Sequence, residues 1–185
     1  METARMSGRL EVICGPMFSG KTTELIRRVE AARGAQRRVV VVKPTCDDRY
    51  ARDAICTHYG ARLAAQSVED VRAVLALANG TEVIAIDEVH FFGAPTVNLV
   101  AQVLALDLRI IVSGCDIDHF GDPFDPFHAL LPMADEIVRM TGICSACGNP
   151  STHTQRLFAS RERISVGGHE QYAPRCAGCF TPSAR

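Results

Sequence analysis

Gly15-Pro16-Met17-Phe18-Ser19-Gly20-Lys21-Thr22 is a complete G-x-x-x-x-G-K-[ST] loop, set directly after the apolar run Leu10-Glu11-Val12-Ile13-Cys14. A buried strand, a glycine-bounded loop and a helix, in that order, frame a P-loop α/β fold. The glycines let backbone N–H groups turn inward on phosphates, and a helix expected from Thr22 to about Arg33 points its positive dipole end at the same anion. Gly15, Pro16, Met17, Phe18, Ser19 and Gly20 are therefore candidate nucleotide-binding positions. Lys21 would reach the β- and γ-phosphates and Thr22 would ligate Mg²⁺. Lys21 is expected to face solvent, with no packing role. The competing reading is an ordinary glycine turn, which the full motif in its strand and helix context disfavours.

Outward from this loop, apolar runs alternate with helical patterns, as in a parallel sheet with crossover helices. Arg38 to Lys43 reads as a β-branched strand, followed by a polar loop from Pro44 to about Gly60 that is long enough to be functional. Val68 to Ala78 reads as a helix stopped by Asn79-Gly80, and Glu82 to Asp87 as a strand. Thr96 to Leu106 reads as a helix and Leu108 to Gly114 as a strand. An ordered loop is expected from Cys115 to Pro132, before a last strand at Glu136 to Met140. Asp87 ends its strand as a Walker B acid does, at the sheet edge where Thr22 and Mg²⁺ would lie. Glu88, next to it, could orient a water in a hydrolase or take a proton from a substrate hydroxyl in a kinase, and the pattern alone leaves both open.

At 185 residues the chain suits one main domain with a small appendage. A net charge of −1 supplies no broad basic field, so no nucleic acid or anionic membrane is expected as a partner. No apolar run approaches a membrane span, and Met1 to Gly8 lacks the middle of a signal peptide, so a cytoplasmic protein is expected. Of the eight cysteines, Cys144 with Cys147 and Cys176 with Cys179 form two C-x₂-C knuckles, each able to place two thiolates on a tetrahedral Zn²⁺. Four thiolates leave no open coordination position, so this zinc would be structural. Cys14 is expected to be a small buried hydrophobe. Lys43, the only lysine besides Lys21, has no assignment.

Together these motifs resemble the P-loop, zinc-containing thymidine kinases. The likeness runs from about Arg9 to Phe180. It rests on 15–25, Lys43-Pro44, Asp47-Asp48-Arg49-Tyr50, Ile86-Asp87-Glu88 with Phe91-Phe92, Asp116, and Asp122-Pro123-Phe124. It also rests on the two knuckles, which enclose Thr154-Gln155-Arg156-Leu157 and Val166-Gly167-Gly168. The resemblance implies a RecA-like parallel sheet with helices on both faces over residues 1–141, and a small zinc-binding lasso domain over 142–185. It implies transfer of the ATP γ-phosphoryl to the 5′-hydroxyl of deoxythymidine, by a homotetramer whose partners are ATP and a deoxynucleoside. It assigns Glu88 as general base, Asp87 to Mg²⁺, and Asp47 and Arg49 to the phosphate neighbourhood, with Lys21 and Arg49 as catalytic cations. Met17, Phe91, Cys115, His119, Thr154, Ser165, Val166, Gly167 and Tyr172 are assigned to the nucleoside.

The chain departs from that pattern at His90, where glutamine is usual, at Cys115, where leucine is common, and at His119, in place of an aromatic residue. These changes bear on base preference, so looser selection than for thymidine alone is expected. A P-loop ATPase with a structural zinc ribbon, a zinc-ribbon nucleic-acid binder and a kinase for another deoxynucleoside are the alternative readings.

Overall fold

A computed structural model describes residues 8–47, 51, 53–57 and 60–184. In chain order the elements are β1 (Arg9–Cys14), α1 (Lys21–Gly34), β2 (Val39–Pro44), β3 (Ala54–Cys56), β4 (Arg62–Ala64) and β5 (Gln66–Val68). A 3₁₀ helix (Val71–Leu77), β6 (Val83–Ile86), a second 3₁₀ turn (Val89–Phe92), α2 (Pro95–Ala105) and β7 (Arg109–Gly114) follow. The chain continues through α3 (Phe127–Leu130), β8 (Glu136–Arg139), β9 (Gly142–Ile143), β10 (Pro150–Ser151), β11 (His153–Arg156) and β12 (Tyr172–Arg175).

Six strands form one parallel sheet in the order β5-β2-β6-β7-β1-β8. The alternation of side chains along each strand divides its apolar residues between two faces. Leu10, Val12, Ile84, Ile86, Ile110 and Val112 pack against α2 and the 3₁₀ helix, where Leu99, Val100, Val103, Val71 and Val74 meet them. Ile13, Val41, Ala85 and Ile111 pack against Leu25, Ile26, Val29 and Ala32 of α1. Helices therefore cover both faces, as the RecA-like P-loop reading expects. Each of the buried valine, leucine and isoleucine side chains contributes about 1.5–3 kcal/mol of transfer free energy.

Two segments differ from the sequence reading. Val68, expected to begin a helix, ends the edge strand β5, which pairs with β2. The residues after it wind as a 3₁₀ helix: Asp70 accepts from the Arg72 N–H at its start, and buried Val71 and Val74 lie three apart, matching a three-residue turn. The polar stretch after Pro44 also contains β3, which pairs antiparallel with β4 and buries Ile55 and Leu63 on the α1 side. Among the described residues, no helix is long and apolar enough to cross a membrane.

Two charged residues sit inside buried strands, Glu11 in β1 and Lys43 in β2. Glu11 of β1 is 2 % exposed. It accepts from Arg109 Nε at 2.7 Å and from Arg28 Nη1, while Arg28 also bonds Glu24 at 2.8 Å and Glu136 at 2.6 Å. Burial pushes the Glu11 carboxyl up, but the guanidinium groups of Arg109 and Arg28 overcome this and hold it below the usual 4.5. The cluster joins α1, β1, β7 and β8.

Candidate active site

The P-loop takes its shape from backbone conformations that its residue types allow. Gly15 lies at φ 141°, and a Cβ there would stand 2.3 Å from the Met140 carbonyl oxygen. Gly20, at φ 85°, precedes α1 in the left-handed region, which costs glycine little. Ser19 Oγ and Lys21 Nζ both donate to the Pro16 carbonyl, at 2.8 and 2.7 Å. Lys21 is thus buried and bonded within the loop, contrary to the expectation of a solvent-facing side chain. The loop folds around its own lysine, because the ammonium finds a carbonyl acceptor close by.

Met17, Phe18, Ser19, Gly20, Lys21, Thr22, Asp47, Asp87 and Glu88 line one cleft of about 550 Å³. Gly15 and Pro16 shape the loop from behind and do not line the cleft. Lys43, unassigned from sequence, also lines it: its Nζ donates to the Ala51 carbonyl at 2.8 Å and stands 3.7 Å from Asp47 Oδ2. Asp48, Arg49 and Tyr50 lie outside the described residues.

Asp87 is held from two sides. Thr22 Oγ1 donates to Oδ2 at 3.0 Å, and Oδ1 accepts from Ser113 Oγ of β7 and from the Glu88 N–H at 3.1 Å. Ser113 escaped the sequence reading, although a hydroxyl in the buried strand Arg-Ile-Ile-Val-Ser-Gly signals a polar partner. Burial, joined by the neighbouring charge of Glu88, raises the Asp87 carboxyl to about 6. A hydroxyl and two acids gathered at one buried edge of a phosphate cleft form a donor set that fits Mg²⁺.

Glu88 sits at φ 50°, ψ 41°, a left-handed conformation that costs a non-glycine residue roughly 1–3 kcal/mol. This turn carries the chain from the cleft into a second, more apolar cavity. Met17, Glu88, Phe91, Cys115, His119, Thr154, Ser165, Val166, Gly167 and Tyr172 all line that cavity, so every residue expected around a nucleoside meets in one place. Ile117, Asp118, Phe124, Arg163 and Ile164 join them; Phe124 belonged to a motif read from sequence, but none of the five had been assigned to the nucleoside. Met17 and Glu88 are the residues common to cleft and cavity among the described residues.

The roof of the cavity is the segment between β11 and β12, which pair antiparallel with Thr154 opposite Pro174. Thr154 Oγ1 accepts from the Met17 N–H at 2.9 Å, tying this hairpin to the P-loop. Phe18 stacks on His169 at 3.6 Å between ring centroids. Tyr172 Oη donates to the Ser165 carbonyl at 2.7 Å and accepts from Arg156 at 3.1 Å. Arg163 pairs with Asp118 at 2.6 Å, and His119 Nε2 donates to the Glu162 carbonyl at 3.1 Å, since a carbonyl only accepts. Burial holds the His119 ring below its ordinary range, so the neutral form carries that bond.

At the base of the hairpins the ligand atoms of Cys144, Cys147, Cys176 and Cys179 all lie within 4.8 Å of one another, with Cys147 and Cys176 sulfurs 3.5 Å apart. Tetrahedral zinc with bonds of about 2.3 Å places its sulfurs roughly 3.8 Å apart, so the cluster fits Zn²⁺.

The family model described as Thymidine kinase matches residues 8–180. A Thymidine kinase of Coprothermobacter proteolyticus is 42 % identical over 95 % of this chain and 92 % of its own. One of Rhodothermus sp. (strain ITI 518) is 39 % identical over 95 % of this chain and 82 % of its own. One of Bacteroides thetaiotaomicron is 34 % identical over 97 % and 90 %. Among solved structures, a replication initiator DnaA bound to AMPPCP and single-stranded DNA covers 71 % of this chain and 40 % of its own. Its TM-score of 0.45 at 13 % identity is too slight a likeness to bear on the site.

Proposed function

The chain belongs to the thymidine kinase family and is a kinase that phosphorylates thymidine to dTMP, and from that premise we propose how its residues divide the reaction. ATP enters the cleft, with its phosphates on backbone N–H groups of residues 18–22, and deoxythymidine enters the apolar cavity beneath the 157–171 roof. Glu88 takes the proton of the 5′-hydroxyl as that oxygen bonds to the γ-phosphorus. The bond from the γ-phosphorus to the β,γ-bridging oxygen breaks, and ADP leaves. The observation that carries this reading is that Glu88 lines both cavities, at the junction where a hydroxyl and a γ-phosphate would meet.

Lys21, released from the Pro16 carbonyl, would move its ammonium onto the β- and γ-phosphates, with Arg49 as a second cation. Thr22 and Asp87 would hold Mg²⁺, with Asp47 nearby; when bound, the ion supplies positive charge to the phosphates. Cys144, Cys147, Cys176 and Cys179 would hold a structural Zn²⁺ that fixes both ends of the roof, so less ordering entropy is lost when the nucleoside binds. On this reading residues 1–141 form the nucleotide-binding domain and 142–185 the lasso domain of a cytoplasmic homotetramer.

The test is kcat/KM for thymidine, deoxyuridine, deoxycytidine and deoxyguanosine with MgATP. Thymidine should lead, with deoxyuridine within about a hundredfold, because one methyl group discriminates by only about 1–3 kcal/mol. Preference for deoxycytidine or deoxyguanosine would refute the base assignment, and ATP turnover independent of any nucleoside would refute the kinase.

A further inference from the structure

We propose that Glu88, His90 and Cys115 form a second metal site, for a soft divalent ion such as Zn²⁺, whose occupancy blocks the kinase. One carboxylate oxygen, one ring nitrogen and one sulfur from these residues all lie within 4.8 Å of one another. The four knuckle thiols meet the same spacing, so both clusters are compact enough for one ion. Carboxylate, imidazole and thiolate together are a zinc donor set, whereas Mg²⁺ prefers oxygen ligands in octahedral geometry. The catalytic Mg²⁺ would therefore not fill this site.

The fold holds the three groups in place. Glu88 and His90 stand on the strained turn after β6, and Cys115 directly follows β7, the strand paired in register with β6. The His90 ring is wedged between Phe91 and Phe124, at 4.3 and 4.9 Å between ring centroids. Its Nδ1 stands 3.6 Å from Glu88 Oε2. The same atom accepts the Cys115 N–H at 3.3 Å, a long bond and a weak competitor for its lone pair. His90 and Cys115 are buried, at 7 % and 5 % exposure, so an ion reaches them through the cavity they line. Three protein ligands leave zinc a fourth position for water. His90 and Cys115 are also two of the positions where this chain departs from the kinase pattern it resembles.

Blockage rests on the proposed role of Glu88, because a carboxylate bonded to an ion cannot take the substrate proton. Binding does not rest on that role, and the two are measured separately. Protein carrying one zinc per chain in its knuckles is titrated with Zn²⁺ and, in parallel, with Co²⁺, and dialysed. We expect a second equivalent per chain, with thiolate-to-cobalt charge-transfer absorption appearing in the Co²⁺ titration, and inhibition by Zn²⁺ that is competitive with thymidine and not with MgATP.

Losing an outer-shell partner alone weakens metal binding about 10–100-fold, so Cys115→Ala and His90→Gln, which each remove a ligand, should raise the inhibition constant by at least about tenfold. Each inhibition is scored against that variant's own metal-free rate, and each variant should keep its knuckle zinc. A single equivalent in wild-type protein, or equal Zn²⁺ inhibition of wild type and Cys115→Ala, would overturn the site. If Glu88→Gln retains full turnover while wild type still takes up the second equivalent, the general-base assignment fails and the metal site stands.

Discussion

Thr22 Oγ1 donates to Asp87 Oδ2 across 3.0 Å, joining the first turn of α1 to the end of β6. Ser113 holds the other carboxylate oxygen from β7, so the end of the cleft proposed for Mg²⁺ is fixed by α1, β6 and β7. Ser113→Ala should raise the Mg²⁺ concentration for half-maximal activity about tenfold, the lower range for losing a group that orients a metal ligand. Mg²⁺ titration at saturating ATP and thymidine checks this. An unchanged midpoint would remove Ser113 from the positioning of Asp87.

Lys21→Ala separates catalysis from stability. Among the described residues the ammonium makes one hydrogen bond, to the Pro16 carbonyl, so its loss should cost about 1.5–3 kcal/mol of stability and leave the fold intact. A charge-stabilising donor lost from a phosphoryl-transfer site lowers kcat about 10²- to 10³-fold. Thermal melting alongside steady-state kinetics reads both. Activity within a few-fold of wild type would take Lys21 out of the mechanism.

The Glu11 cluster governs stability in acid. The folded pKa of Glu11 lies below its unfolded value near 4.5, so its contribution is complete above about pH 4.5 and is lost as pH falls through the folded value. Glu11→Gln leaves Arg28 and Arg109 without their buried carboxylate and should destabilise the protein by about 3 kcal/mol at pH 7. It should also lessen the decline below pH 5, because one of the carboxylates held low by Arg28 and Arg109 is gone while Glu24 and Glu136 remain. Denaturant midpoints at pH 4, 5 and 7 measure both effects; a wild-type slope in the variant would assign the acid sensitivity elsewhere.

Much of this architecture is legible from one sequence, for physical reasons. The strands β2, β6 and β7 are short β-branched runs buried on both faces, and α1 carries its apolar residues at helical spacing. Val71–Leu77 is harder to read, because seven residues with apolar positions at 71, 74 and 75 suit either a 3₁₀ or an α-helical turn. The β3–β4 pair was hidden in a mostly polar stretch, with one large aliphatic side chain, Ile55 or Leu63, marking each short strand.

Within the site, spacing announced the P-loop, Asp87-Glu88 and the knuckles. Lys43 and Ser113 needed the folded chain: Lys43 is met by the Ala51 and Ala54 carbonyls as the chain turns back into β3, and Ser113 by Asp87, just past the end of the neighbouring strand β6. Glu11 offered a signal that went unused: a charge inside an otherwise apolar parallel strand requires a buried counter-ion.

The four cysteines make the roof a testable unit. Cys176→Ser should lower zinc from about one per chain towards zero and loosen residues 148–175 while the parallel sheet persists. Ordering costs about 0.5–1.5 kcal/mol per immobilised side chain, so two or three such groups would raise the thymidine KM on the order of tenfold. Elemental analysis, proteolysis within 148–175 and kinetics read these in turn. Wild-type protein purified without chelators and carrying no zinc would contradict the assignment.

The most direct test of the whole account is Glu88→Gln, because Glu88 joins the phosphate cleft to the nucleoside cavity. Glutamine keeps the size and some of the hydrogen bonding of glutamate but cannot take the proton. The account predicts kcat for thymidine lower by about 10²- to 10⁴-fold, the usual worth of a general base, with ATP affinity nearly unchanged. Wild-type turnover at saturating thymidine and MgATP would contradict it.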